Sequence, residues 1–157
     1  MNNAESRLGK AGLELPGAVG TQYAYQPILR HGNMAYLAGQ LAKLPGDHVM
    51  HPGIVGNGIG LEQAQSAARA CALQSLAWLK AELGSLDTVR QIVRLNGYVR
   101  VGPDGFDRMS EVIDAASRVY AQAFGQQGHH VRSVLGVADL PRHASVMIDL
   151  TVAIDVD

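Results

Sequence analysis

Between Ser145 and Val156 every second residue is a branched aliphatic: Val146, Ile148, Leu150, Val152, Ile154 and Val156. A period of two places all six on one face of a β-strand, and the intervening Met147, Asp149, Thr151, Ala153 and Asp155 on the other. A strand with one such face needs a sheet around it and a layer to cover it. The cover is found earlier in the chain. Leu61, Ala64, Ala68, Ala72, Leu76, Leu79 and Leu83 recur at three- and four-residue steps, which predicts a helix from Leu61 to about Leu83, ended by Gly84. Its many alanines allow close approach to a sheet. A second helix is predicted from about Asp107 to Phe124, with Met109, Val112, Ile113, Ala116, Val119, Tyr120 and Ala123 inward and Gly125 and Gly128 at its end.

The remaining elements are shorter. Asn3 to Lys10 reads as a small helix closed by Gly12 and Pro16. Tyr23 to Arg30 and Met34 to Gln40 read as strands joined at His31-Gly32-Asn33, a hairpin turn. Lys43 to Gly60 lacks periodicity and is expected to be a loop; its Gly56-Asn57-Gly58-Ile59-Gly60 run breaks the phosphate-loop spacing at Leu61 and has no following Lys-Ser/Thr pair. Within 87–101, Val93, Leu95, Val99 and Val101 are expected on one face, and Arg90, Arg94 and Arg100 on the other with Ile92 and Tyr98. Arg132 to Ala138 is a further short strand. The order is helix, hairpin, helix, strand, helix, two strands: a two-layer α+β sandwich in a single domain, 1–157, with both main helices on one face of a mixed sheet. The second sheet face carries small and mixed residues, so burial against other copies is expected.

Thirteen Lys and Arg against fourteen Asp and Glu leave a net charge of −1; this balance gives no electrostatic footprint for nucleic acid, and nothing in the composition asks for a local basic patch. A single cysteine, Cys71, precludes an intrachain disulfide and fits a reducing compartment. The opening residues lack signal-peptide character and no apolar run reaches membrane-spanning length, so the cytoplasm is expected. No zinc-protease, Cys-x-x-Cys or Gly-x-Ser-x-Gly pattern occurs. His48 with His51, and His129 with His130, form pairs without a third ligand nearby in sequence, so neither metal nor cofactor is expected. Cys71, on the apolar side of its helix, reads as packing. Arg132 opens a strand after a glycine-bearing turn, where its planar guanidinium suits a carboxylate or an ordinary ion pair.

The stretch Gly128 to Pro141, with Arg132-Ser133, Gly136-Val137 and Leu140-Pro141, resembles the signature of the Rid/YjgF (reactive intermediate deaminase) family. Gly32-Asn33-Met34 through Gly39-Gln40-Leu41 and Pro16-Gly17-Ala18-Val19-Gly20 resemble two further motifs of that family. Val112 to Ser117 with His130-Val131-Arg132-Ser133 resembles its longer endoribonuclease-like or translation-inhibitor-like branch. The resemblance spans about Pro16 to Ile154. It implies a chorismate-mutase-like protomer, a homotrimer and pockets between subunits. It also implies hydrolysis of 2-imino or enamino acids to 2-oxo acids and ammonia. Arg132 would hold the substrate carboxylate. The Gly32–Asn33 and Arg132–Ser133 regions would position imine or water, with Gln40 and His130 nearby. Tyr23 or Tyr25 would supply an aromatic wall, and a three-residue insertion leaves both matches open. Two positions depart from the family pattern: Ala38 stands for a serine and Met147 for a glutamate proposed to handle water, while Asp149 matches a second acidic position about 6–7 Å further along the strand. A hydrolase and a non-catalytic trimer binding a small carboxylate metabolite both fit these residues. RNA cleavage fits the near-neutral charge poorly.

Overall fold

The alternating stripe forms β9 (Val146–Ile154), the central strand of a five-stranded sheet in the computed structural model, which describes residues 3–18 and 20–156. Its five stripe residues are buried and those between them are half-exposed. Flanking it on one side are β2 (Met34–Leu41) and then β1 (Ile28–His31); on the other are β7 (Val89–Arg100) and then β8 (Val131–Val137). All neighbours are antiparallel except β7 and β8, which run parallel. A parallel pair needs a long crossover, and α3 (Met109–Phe124) supplies it. With α2 (Leu61–Leu83), α3 covers one face of the sheet, and α1 (Ala4–Lys10) packs beside α3. The two-layer α+β order expected from periodicity is the order observed. Among the described residues, no helix is long and apolar enough to cross a membrane.

Three details differ from expectation. The first strand starts at Ile28 and not at Tyr23, because residues around 21–25 turn on themselves: the Tyr23 amide donates to Thr21 Oγ1 (3.1 Å) and the Tyr25 amide to the Tyr23 carbonyl (2.9 Å). The 43–60 segment is not a bare loop. It forms two small ribbons, β3 (Lys43–Leu44) with β4 (His48–Val49), and β5 (Ile54–Val55) with β6 (Gly58–Ile59). In β7, register shifts at Val89/Gln91 and Ile92/Arg94 change the phase of alternation, so Ile92 is fully buried and Val93 is only half-buried. Strict alternation had placed them the other way round. The Val19 of the Pro16–Gly20 motif lies outside the described residues.

Close approach decides the helix–sheet contact. A β-carbon on Gly97, in the middle of β7, would lie 2.7 Å from Ile113 Cγ1 of α3. Tyr120, also on α3, is fully buried with its hydroxyl 2.7 Å from Ser75 Oγ of α2, and Ser75 in turn donates to the Ala72 carbonyl (2.6 Å). The buried phenol is thereby satisfied. Burial pushes the Tyr120 phenol well above its ordinary range, and it pushes the buried Cys71 thiol upward in the same way.

The other sheet face is finished at one end only. Leu41, Leu140 and Ala144, with Val49, Tyr98, Val137 and Met147, build a small second core there. Beside it the Asp149 carboxylate accepts hydrogen bonds from Asn96 Nδ2 (2.9 Å) and the Tyr98 hydroxyl (3.0 Å). Burial, and then that bond, raise the Tyr98 phenol. The rest of the face is open, with Leu29, Tyr36, Val131 and Leu135 exposed around Arg94.

Adding the missing methyl at Gly97 should overpack this contact. Gly97→Ala is expected to lose about 1–3 kcal/mol. In a domain of this size that lowers the melting temperature by roughly 2–12 °C. Calorimetry should show the drop, and Ile113→Val in the same background should recover part of it. An unchanged melting temperature would show that α3 does not depend on this approach.

Candidate functional site

Two clefts carry the chemistry-bearing side chains. The first, of about 490 Å³, lies between α3 and the turn that leads into β8. Asp114, Ser117, Arg118 and Ala121 fall at three- and four-residue steps of α3 and form its cleft-facing stripe there. Opposite them, residues 125–128 form a turn whose last residue presses on the helix backbone. A β-carbon on Gly128 would lie 2.1 Å from the Tyr120 carbonyl oxygen, so no other residue fits without moving the turn.

That turn places His130. Its Nδ1 lies 2.8 Å from the Gly128 carbonyl and its Nε2 lies 2.9 Å from Ser117 Oγ, while its ring meets Tyr120 edge-on at 5.9 Å. A carbonyl only accepts, so Nδ1 carries the proton and the neutral Nε2 accepts from the Ser117 hydroxyl. Burial holds the imidazole below its ordinary range. The Gly128 carbonyl opposes that shift, and the Arg132 guanidinium, with His129 beside it, adds to it.

Arg132 pairs with Leu95 in the β7–β8 ladder, so it shares the helix-facing side of the sheet. Its Nη1 donates to Ser117 Oγ (2.9 Å) and pairs with Asp114 Oδ1 (2.8 Å), and its Nη2 donates to the Ser110 carbonyl (3.1 Å). The side chain is 22% exposed. A guanidinium has five N–H donors, so three partners leave donors for a ligand. Arg118, His129, Arg132 and the carboxylate of Asp114 surround the cleft.

The second cleft, of about 900 Å³, lies over the finished end of the open sheet face. Tyr23 and Tyr25 stand at its rim, and Gly39, Leu41 and Met147 line it, with Lys43, Asp47 and Arg142 around them. A β-carbon on Gly39 would lie 2.6 Å from the Met147 sulfur, so the thioether rests directly on that glycine. Arg142 forms an ion pair with the Asp47 carboxylate and donates to the Asp47 carbonyl (2.6 Å). Both residues have left-handed backbones, φ 68° and 59°, a conformation that costs non-glycine residues energy and collects at functional loops. Arg142 holds the Asp47 carboxyl below its usual range, and the Arg142 guanidinium is raised in return.

The residues singled out from sequence therefore divide. Arg132 and His130 meet in the first cleft; Tyr23 and Tyr25 both line the second. Ser133, next to Arg132 in the strand, faces the opposite side and accepts from Arg94 Nη1 (3.3 Å). Gln40 is buried, its amide donating to the Ala38 carbonyl (2.9 Å). Gly32 and Asn33 form the β1–β2 turn at the far end of the strand pair, where the Asn33 carbonyl accepts from the Ile154 amide (2.9 Å), and they line neither cleft. Among the described residues no three His, Cys, Asp or Glu side chains gather as metal ligands. Asp114 and Ser117 escaped the sequence reading as site residues, although their spacing with Arg118 on a helix face was a usable signal. The Asp47–Arg142 pair is separated by 95 residues and left no such trace.

Gly128→Ala should displace the turn. The expected result is a lower melting temperature together with a His130 imidazole that titrates closer to the ordinary value of about 6.5, followed by NMR. A variant with unaltered stability and titration would show that the turn is not what holds the ring.

The family described as "YjgF/chorismate mutase-like, putative endoribonuclease" matches residues 5–153 of the chain. Protein TCP17 of Trypanosoma cruzi is 35% identical over 151 residues, which is 96% of this chain and 93% of TCP17. The crystal structure of Atu1372, a protein with unknown function from Agrobacterium tumefaciens, superimposes with a TM-score of 0.88 at 39% identity, covering 97% of this chain and 92% of that one. A Shewanella oneidensis MR-1 protein that carries the same endoribonuclease description gives a TM-score of 0.91 at 28% identity, covering 98% and 100%.

Proposed function

The chain belongs to the YjgF/chorismate-mutase-like family, and on that premise we propose that it binds small carboxylate-bearing metabolites and hydrolyses 2-imino or enamino acids to 2-oxo acids and ammonia. Membership supports a small-molecule-binding or deaminase-type role. The observation that carries the finer reading is Arg132: a guanidinium oriented by Ser117, Ser110 and Asp114 at the wall of a cleft, beside a neutral imidazole. Such a group offers a substrate carboxylate a charge-assisted, two-point hold. The imine carbon is already electrophilic, so the protein's task is to orient it and to deliver water.

The working unit is proposed to be a homotrimer. The Arg132 cleft and the tyrosine cleft are each open and incomplete, and the exposed Leu29, Tyr36, Val131 and Leu135 give the bare sheet face a reason to be covered. Pockets would then form where one subunit meets the next.

A non-catalytic binding module is the second reading, and Met147 favours it. A thioether cannot take a proton from water, and it lines the cleft where the family pattern has glutamate. RNA cleavage would need acid–base groups along a cationic groove, and the near-neutral net charge of −1 argues against it.

Imino acids generated in place by an amino-acid oxidase should release ammonia faster with the protein than without it. Calorimetry with 2-oxo acids should show binding that Arg132→Ala weakens by more than tenfold, on the order of 2–5 kcal/mol. Arg132→Lys should restore little, since an ammonium cannot form the fork. Binding without accelerated ammonia release would select the binding module, and unchanged affinity in Arg132→Ala would remove Arg132 from the site. Light scattering should give about three times the 16.7 kDa protomer mass; a monomer at micromolar concentration would overturn the interfacial pockets.

A further inference from the structure

With methionine at position 147, water in this chain needs a different base. We infer that Ser117 and His130 form a proton relay that deprotonates the water attacking an imine carbon held at Arg132. The inference rests on the imine-hydrolysis reading above and deepens it.

The hydrogen-bond directions carry the argument. A serine hydroxyl has one donor and two acceptor directions. Its proton goes to His130 Nε2 (2.9 Å), because His130 Nδ1–H is already committed to the Gly128 carbonyl (2.8 Å). One lone pair accepts Arg132 Nη1 (2.9 Å). The remaining lone pair is the direction from which a water can donate. A carboxylate on Arg132 would sit about 2.8 Å from the guanidinium nitrogens, and the imine carbon is one bond beyond the carboxylate carbon. Ser117 accepts from Nη1 of the same guanidinium, so its hydroxyl lines the cleft in which the substrate would lie, and water in that cleft can bridge the two.

The step balances without a co-reactant. The water oxygen bonds to the imine carbon as the C=N π pair moves to nitrogen. One water proton passes to Ser117 Oγ while the serine proton passes to His130 Nε2. The imidazolium returns that proton through Ser117 to the nitrogen, which completes a carbinolamine. The carbinolamine O–H proton then follows the same route to the nitrogen as the C–N bond breaks, leaving a 2-oxo acid and ammonia. The groups facing His130 suit a transient charge. On α3 they are Ser117 and the Tyr120 ring; on the turn they are the Gly128 carbonyl and His129; on β8 there is Arg132. Burial and the neighbouring Arg132 guanidinium keep the resting ring neutral and make its imidazolium quick to give up the proton. Asp114, across the guanidinium, offsets part of the positive charge.

The test uses full-length protein and imino acids generated in place, with ammonia release corrected for spontaneous hydrolysis and 2-oxo acid affinity measured separately. Ser117→Ala and His130→Gln are expected to lower kcat by about 10²–10⁴-fold while 2-oxo acid affinity changes less than about threefold. Ser117→Thr, which keeps the hydroxyl, should retain most of the rate. The wild-type kcat profile should fall toward acid with a midpoint below about 6.5, as the ring protonates, and His130→Gln should lose that limb. Two results with an active wild type would overturn the relay and leave the hydrolysis reading standing: full kcat in Ser117→Ala or His130→Gln, or kcat and affinity falling together, which marks a merely positioning role. A wild type that binds 2-oxo acids and releases no ammonia would overturn both, and so separates the two failures.

Discussion

The approach of α3 to its surroundings is the constraint on which the rest of this structure depends. The helix rests on β7 at a glycine, Gly97, and is met by the turn at another, Gly128, and at both places a β-carbon would intrude on atoms already present. Closely packed interiors have no slack to absorb such an intrusion. With the helix held at this depth, Tyr120 is sealed against Ser75, and the stripe of Asp114, Ser117 and Arg118 is presented at a fixed height above β8. A looser helix would still cover the sheet, but Ser117 would no longer stand within hydrogen-bond distance of both His130 and Arg132. Fold and site share one element.

The same economy appears in the polar groups. His130 is anchored by a backbone carbonyl, so its tautomer is set by a group that cannot titrate. Arg132 is oriented by a hydroxyl, a carbonyl and a carboxylate together, a net that limits its rotamers before any ligand arrives. On the other sheet face, Asp149 is occupied by Asn96 and Tyr98. A carboxylate engaged in that way is a structural acceptor, which argues against its serving as a base for water.

The architecture was legible because it depends on periodicity. The alternation of Val146 through Ile154 and the three-and-four spacing of Leu61 to Leu79 are local patterns, and each names its element and its buried face without reference to any other part of the chain. Where local pattern failed, tertiary contacts had intervened. The two register shifts in β7 put Ile92 inward against its own alternation, and a self-bonded turn at 21–25 removed Tyr23 and Tyr25 from the strand. Of the site, Arg132 and His130 were visible in a motif of adjacent residues. Ser117 and Asp114 were visible only as helix spacing, and the Asp47–Arg142 pair was not visible at all, since nothing short of folding connects residues so far apart.

The sequence by itself determined the element order, the layered class, the buried stripe and the family to which the motifs belong, because each is encoded in the spacing of neighbouring residues. Only the tertiary structure decided which polar side chains meet. Strand neighbours Arg132 and Ser133 were adjacent in sequence and went to opposite faces, because successive side chains in a strand must. Ser117 and Arg132, fifteen residues apart, were brought to 2.9 Å by a helix that returns across its sheet and by a glycine that lets the turn touch it.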